Sequence, residues 1–96
     1  MPDSEYLLLF EDYLTNEKKA SKNTLSSYLR DIRKFGEYLQ THSEKNMGTA
    51  DEDTLGAYIE WMRSSGKSVA TVSRAIASLK NFYSYLYQHG YVSGNP

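Results

Sequence analysis

Two short stretches, Lys22-Asn23-Thr24 and Lys67-Ser68 with Thr71, carry the chemistry this 96-residue sequence offers most plainly. Each opens a helical pattern. Backbone N–H groups at a helix N-terminus, joined by hydroxyl and ammonium donors, form a ready site for a phosphate. Further along the second of these helices, Arg74, Ala77 and Asn81 lie outward from the apolar stripe, with Ser73 and Ser78 alongside. Arg and Asn can hydrogen-bond guanine and adenine edges, and small side chains let a helix approach a groove. The earlier helix has a matching outer face of Asn23, Ser27, Arg30 and Lys34, with Ser26 and Arg33 beside them. Such a face on a lone helix usually means a solvated, salt-bridged surface. Its occurrence on two long helices gives the anion reading its weight.

Other chemistry finds little support. His42 and His89 each fall at a helix C-terminus, where a partly cationic ring suits the dipole, and no cysteine or further histidine would complete a metal set. There is no phosphate-cradling glycine loop, HExxH or GxSxG. Asp51, Glu52 and Asp53 read as charges at a helix N-terminus. Of nine tyrosines, Tyr28, Tyr58 and Tyr83 fit core faces, while Tyr38 and Tyr85 fit stripe edges with a buried ring and a wet hydroxyl. No base is placed to activate any of them. Catalysis by this chain alone is not expected, nor is a cofactor or a metal.

Four helices must position these groups. The governing one is 69–89, whose Val72, Ala75, Ile76, Leu79, Phe82, Tyr83 and Leu86 recur at steps of three and four. Ser68 is placed to cap its start and Gly90 to end it in a left-handed conformation. Shifted back by 47 positions, Ser68, Thr71, Ile76, Leu79, Phe82 and Leu86 fall on Ser21, Thr24, Leu29, Ile32, Phe35 and Leu39. The second helix, about 22–41, therefore buries the same register after the same opening, although serine-capped amphipathic helices can align this way by chance. A first helix is expected over about 4–17, capped by Ser4 and burying Tyr6, Leu7, Phe10, Tyr13 and Leu14. A third is expected over about 50–63 behind a Thr49–Glu52 capping box, burying Leu55, Tyr58, Ile59 and Met62, with Trp61 at the stripe edge. His42 to Gly48 reads as a polar connection. Tyr91 and Val92 should fold back on the last helix, and Ser93 to Pro96 read as a linker.

This length suits one domain with a single core, residues 1–96, and 40% hydrophobic with 24% charged residues is ordinary globular composition. The absence of cysteine, of an apolar run near 18 residues and of a signal-peptide pattern leads to the expectation of a cytoplasmic domain away from membranes. The net charge of −1 conceals segregation. Residues 1–17 hold five acids and no base, and 46–62 four acids and no base. By contrast, 18–45 hold seven bases and three acids, and 63–96 four bases and no acid. The two basic segments are the two that match each other. If they share a surface, that surface attracts anions although the whole chain does not.

The ordered set SxNTLxxYxxDIxxFxxYL from Ser21 to Leu39, then TLxxYIxWM, SxxTVSRxIASLKNFYxYL and a closing GYVxxNP, resembles the N-terminal core-binding domain of tyrosine recombinases, the phage integrase and Xer-like group. The resemblance spans Leu7 to Pro96. It implies an all-α, SAM-like orthogonal bundle of four main helices, forming half of a clamp around double-stranded DNA with its second and fourth helices. The DNA-binding residues it implies are Lys22, Asn23, Thr24, Ser27, Tyr28 and Arg30 on one helix, with Ser68, Thr71, Ser73, Arg74 and Lys80 on the other. Tyr28 is claimed by the core as well. It also implies other recombinase protomers as partners on DNA, an isolated domain that is monomeric, and a catalytic domain beyond Pro96. None of the family's catalytic residues can be placed on this sequence. The modest charge leads to the expectation of weak binding by the domain alone.

Two readings compete. A DNA-binding domain should gather its basic segments on one face, and Arg74→Glu should weaken binding without unfolding it. A SAM-type protein-interaction domain should instead expose an apolar patch on the aromatic edge or the acidic first helix, and show no salt-sensitive affinity for DNA.

Overall fold

The computed structural model describes residues 1–94; Asn95 and Pro96, which include the expected linker end and domain boundary, lie outside the described residues. Four helices follow in order: α1 (Asp3–Asn16), α2 (Lys22–His42), α3 (Glu52–Ser64) and α4 (Val69–Gln88). Among the described residues there is no strand. The all-α expectation holds, with helix ends within two residues of those expected. α4 packs against each of the other three, and α2 also packs against α1.

The expected stripes form one core. Phe10, Ile32, Phe35, Leu39, Phe82 and Leu86 are fully excluded from solvent, with Tyr58, Met62, Val72 and Leu79 nearly so. Ser21 and Ser68 cap α2 and α4 through the amides of Thr24 and Thr71. Gly90 takes φ +75 after α4, the left-handed turn that a residue with a Cβ resists. The amide of Tyr91 then donates to the Leu86 carbonyl at 2.9 Å, and Val92 packs on the core.

Two expected caps are corrected. Pro2, not Ser4, occupies the N-cap of α1, where its fixed φ of −66 suits an extended entry. Ser4 lies exposed inside the first turn, and Asp3 instead accepts from the Met47 amide at 3.0 Å. At α3, Asp51 replaces Thr49, because its carboxylate accepts from both the amide and hydroxyl of Thr54, at 2.9 and 2.7 Å. Thr49 belongs to a turn built around Asn46, whose amide it accepts at 2.9 Å.

The segment between α2 and α3 is less polar in role than its composition suggests. Met47 and Ala50 are buried, and Tyr83 donates its hydroxyl to the Met47 carbonyl at 2.7 Å. This connection is pinned to α1 and α4 at once.

The Asp51 cap has a testable pH signature. Thr54's hydroxyl and amide hold the carboxyl below its ordinary pKa of 3.8. A depressed folded-state pKa gives stability that is present above the unfolded value and lost as pH falls through the folded one. Asp51→Ala should therefore melt lower than the parent at neutral pH, with the gap closing as pH drops below 3.8. A gap independent of pH in paired thermal melts would refute an ionised cap.

Candidate nucleic-acid interface

The two helix starts have the same geometry. Ser21 Oγ accepts from the Thr24 amide at 3.2 Å and donates to Thr24 Oγ1 at 3.0 Å. Ser68 repeats this with Thr71 at 3.1 and 2.9 Å. Each serine proton is thus committed to its threonine. The threonine protons, with Lys22 and Lys67 nearby, are the donors left for an anion.

α2 and α4 meet at matching positions of their 47-residue offset, for Asp31 and Ser78 are hydrogen-bonded at 2.8 Å. Arg74 closes a fork on the same carboxylate, Nε to Oδ2 at 3.2 Å and Nη2 to Oδ1 at 3.1 Å. The carboxylate is 4% exposed and the arginine side chain 45%. Asp31's hydrogen bond and charge push the Arg74 pKa still higher. Further along both helices the rings of Phe35 and Tyr83 meet edge-on at 6.3 Å.

Two grooves flank the junction. One, of about 330 Å³, is lined by Lys34, Lys67, Thr71 and Arg74 together with the acids Asp31 and Glu37, and by the rings of Tyr38, Tyr58 and Trp61. The other, of about 520 Å³, holds Lys18, Thr24, Tyr28, Asn81, Ser84 and Gln88. The basic segments therefore do meet, with cations of α2, of α4 and of the turn before it in the first groove.

Each expected contact residue can now be placed. Lys22, Asn23, Thr24, Arg30, Ser68, Ser73 and Lys80 are exposed, and Ser27, Tyr28 and Thr71 are half-buried. Tyr28 packs toward the core, its ring 6.2 Å from Phe10, and also lines the second groove. Thr24 and Tyr28 share that groove, Thr71 and Arg74 share the other, and Ser73 lines a smaller one with Arg63, Lys67 and Ile76. Ser78 is corrected, being fully buried rather than on the outer face, because the Asp31 carboxylate draws it inward. Arg74 does not stand on a freely exposed face but is tethered to Asp31. Lys34 and Lys67 join Arg74 in the groove; Lys67 was read as part of a phosphate site and Lys34 as part of a basic outer face, though neither is among the contact residues that the resemblance implies.

The histidines sit in aromatic clusters. His42 stacks on Tyr38 at 4.9 Å, and His89 lies 4.6 Å from Tyr85. Tyr85 donates its hydroxyl to the Leu9 carbonyl at 3.2 Å instead of to solvent. Burial pushes the hydroxyls of Tyr58 and Tyr85 up to about 12, and that of Tyr83 higher still.

The family model of the phage integrase N-terminal SAM-like domain matches residues 7–90, nearly the whole chain and all of α2, α3 and α4. The chain belongs to this family. Its integrase SAM-like domain is 39% identical over 87 residues to a protein of Caldanaerobacter subterraneus subsp. tengcongensis named as a tyrosine recombinase, covering 91% of this chain and 30% of that one. Tyrosine recombinase XerC of Oceanobacillus iheyensis is 31% identical over 91 residues, covering 95% of this chain and 30% of its own. Tyrosine recombinase XerD of the same organism is 34% identical, covering 91% and 30%. The SAM-like domain thus spans about 30% of the length of these relatives. No solved structure matches it. No helix among the described residues is long and apolar enough to cross a membrane.

Proposed function

We propose that this domain binds double-stranded DNA across the α2–α4 junction and holds a separate catalytic domain on the duplex for recombination. The observation that carries this reading is the meeting of Lys34, Lys67 and Arg74 in one groove of a chain whose net charge is −1. Against these three cations stand two acids, Asp31, which is bonded to Arg74, and Glu37. The lining therefore keeps an excess of one positive charge and attracts phosphates by local field, not by overall charge. The start of each helix adds backbone donors and a threonine hydroxyl, suited to phosphates on either side of a groove. Strand cutting and rejoining belong, in this reading, to another domain and to several protomers assembled on DNA. The domain acts in the cytoplasm, needs no cofactor and is monomeric when isolated.

The reading is tested by titrating the isotopically labelled domain with a mixed-sequence 20-base-pair duplex at low and higher salt. Amide shifts should cluster at 22–30 and 67–80 and fade as salt rises. Lys22→Glu and Lys67→Glu should each weaken binding about tenfold with unchanged melting, since both side chains are exposed. Silent amides in those segments, or binding indifferent to salt, would sink it.

A second reading, a protein-interaction domain, is favoured by a different surface. Leu8 is 63% exposed on α1 and shares a groove with Met1, Leu9 and Tyr91, rimmed by Glu5 and Asp12. Shifts confined to that surface on raising protein concentration would favour this reading.

A further inference from the structure

We propose that Asp31 is a positioning residue for DNA recognition, holding one edge of the Arg74 guanidinium so that the other edge faces a two-acceptor group on the duplex. This rests on the DNA-binding reading and adds to it a mechanism. A carboxylate 4% exposed needs its lone pairs filled, and here Arg74 Nε, Arg74 Nη2 and Ser78 Oγ fill them. The fork uses two of the five guanidinium N–H groups. Three remain, both on Nη1 and one on Nη2, and none has a partner among the described residues.

The free pair on Nη1 and Nη2 is parallel and coplanar with the fork. That edge fits guanine O6 and N7, or two oxygens of one phosphate. An unrestrained arginine must give up rotamer freedom to make such a contact. The tether to Asp31 has already removed that freedom, and the side chain remains 45% exposed beside Lys34, Lys67 and Thr71. Arg30 and Lys80, exposed and with no such tether among the described residues, lack this preorganisation.

The test compares Asp31→Asn, Ser78→Ala and the parent against a pool of 20-base-pair duplexes with a randomised centre, at a temperature where circular dichroism shows each fully folded. Asp31→Asn should bind roughly tenfold more weakly, the value of one good bidentate contact. Ser78→Ala leaves the fork intact and should bind within about twofold of the parent. The Arg74 Nε–H resonance should be sharp in the parent, shift on DNA addition, and broaden in Asp31→Asn. A role confined to stability predicts the opposite, with both variants melting lower and both binding normally. If Asp31→Asn does not stay folded, Arg74→Lys, which keeps the charge but removes both the fork and the free edge, asks whether the guanidinium is needed at all. Its retention of parental affinity would overturn the proposal. Loss confined to duplexes with guanine at one position identifies the base edge as the target, and uniform loss identifies phosphate; both support positioning. Parental binding with unaffected Asp31→Asn sinks this inference alone. Absence of parental binding sinks the DNA reading and this inference with it.

Discussion

Arg74→Glu is expected to destabilise the domain by about 3 kcal/mol, as well as weakening any hold on DNA. Removing one partner of a buried pair typically costs about 3–5 kcal/mol, because a desolvated charge is left without compensation. Asp31 is that desolvated charge, at 4% exposure. Arg74 is 45% exposed and water can partly replace it, which places the loss at the low end of that range. Glutamate then adds repulsion, while Ser78 still supplies one donor to Asp31. Urea unfolding should show a lower midpoint at unchanged slope. Arg74→Gln, which keeps some donors and brings no charge, should lose less. A midpoint for Arg74→Glu within error of the parent would mean that the fork is absent in solution. The tether to Asp31 gives a physical reason to expect loss of stability together with weaker binding, where an arginine on a free outer face would show weaker binding alone. One side chain serves the fold with one edge and is free to serve a ligand with the other.

That double role marks what could be read from the sequence. Periodicity located all four helices, because each core stripe is long and regular, as in Ile32, Phe35 and Leu39 or Leu79, Phe82 and Leu86. It also located the two serine caps and the glycine stop, which are local in sequence. Asp31 was harder. An aspartate between Arg30 and Ile32 reads as one more surface charge, and its partners lie 43 and 47 residues away. A signal did exist, for Asp31 and Ser78 occupy the same register of the repeat, each immediately before a core residue. Two polar groups at a matched core edge can satisfy one another if the helices cross there. Met47 was missed because its partners are distant in sequence: its amide meets Asp3, its carbonyl meets Tyr83, and its Cε lies against Gly36 of α2. Asp51 outcompeted Thr49 because a carboxylate is the stronger acceptor, a choice that motif spacing alone does not weigh.

Phe10→Ala should be at least as damaging to stability as Arg74→Glu, yet leave the groups proposed to meet DNA in place, and the contrast separates scaffold from proposed site. Phe10 is fully buried, with Phe82 edge-on at 5.3 Å, Tyr85 at 5.6 Å, and Tyr13 and Tyr28 at 6.1 and 6.2 Å. Its ring is the part of α1 that reaches both α2 and α4. Truncating a buried phenylalanine costs about 3–5 kcal/mol, as the loss of transfer free energy and the cavity left behind add together. In a domain of this size that corresponds to a fall in melting temperature of roughly 20 °C. Phe10→Leu fills much of the space and should recover about half of the loss. Binding measured well below the lowered melting point should stay within about threefold of the parent. Tyr28 is the only expected contact residue whose ring leans on Phe10, and a looser Tyr28 perturbs one groove of two. A melting shift under about 5 °C would mean that the four neighbouring rings close over the gap. A tenfold loss of binding by fully folded Phe10→Ala would mean that α1 does more than support the crossing. The DNA surface would then extend beyond α2 and α4 to the helix that carries more acids than any of the other three.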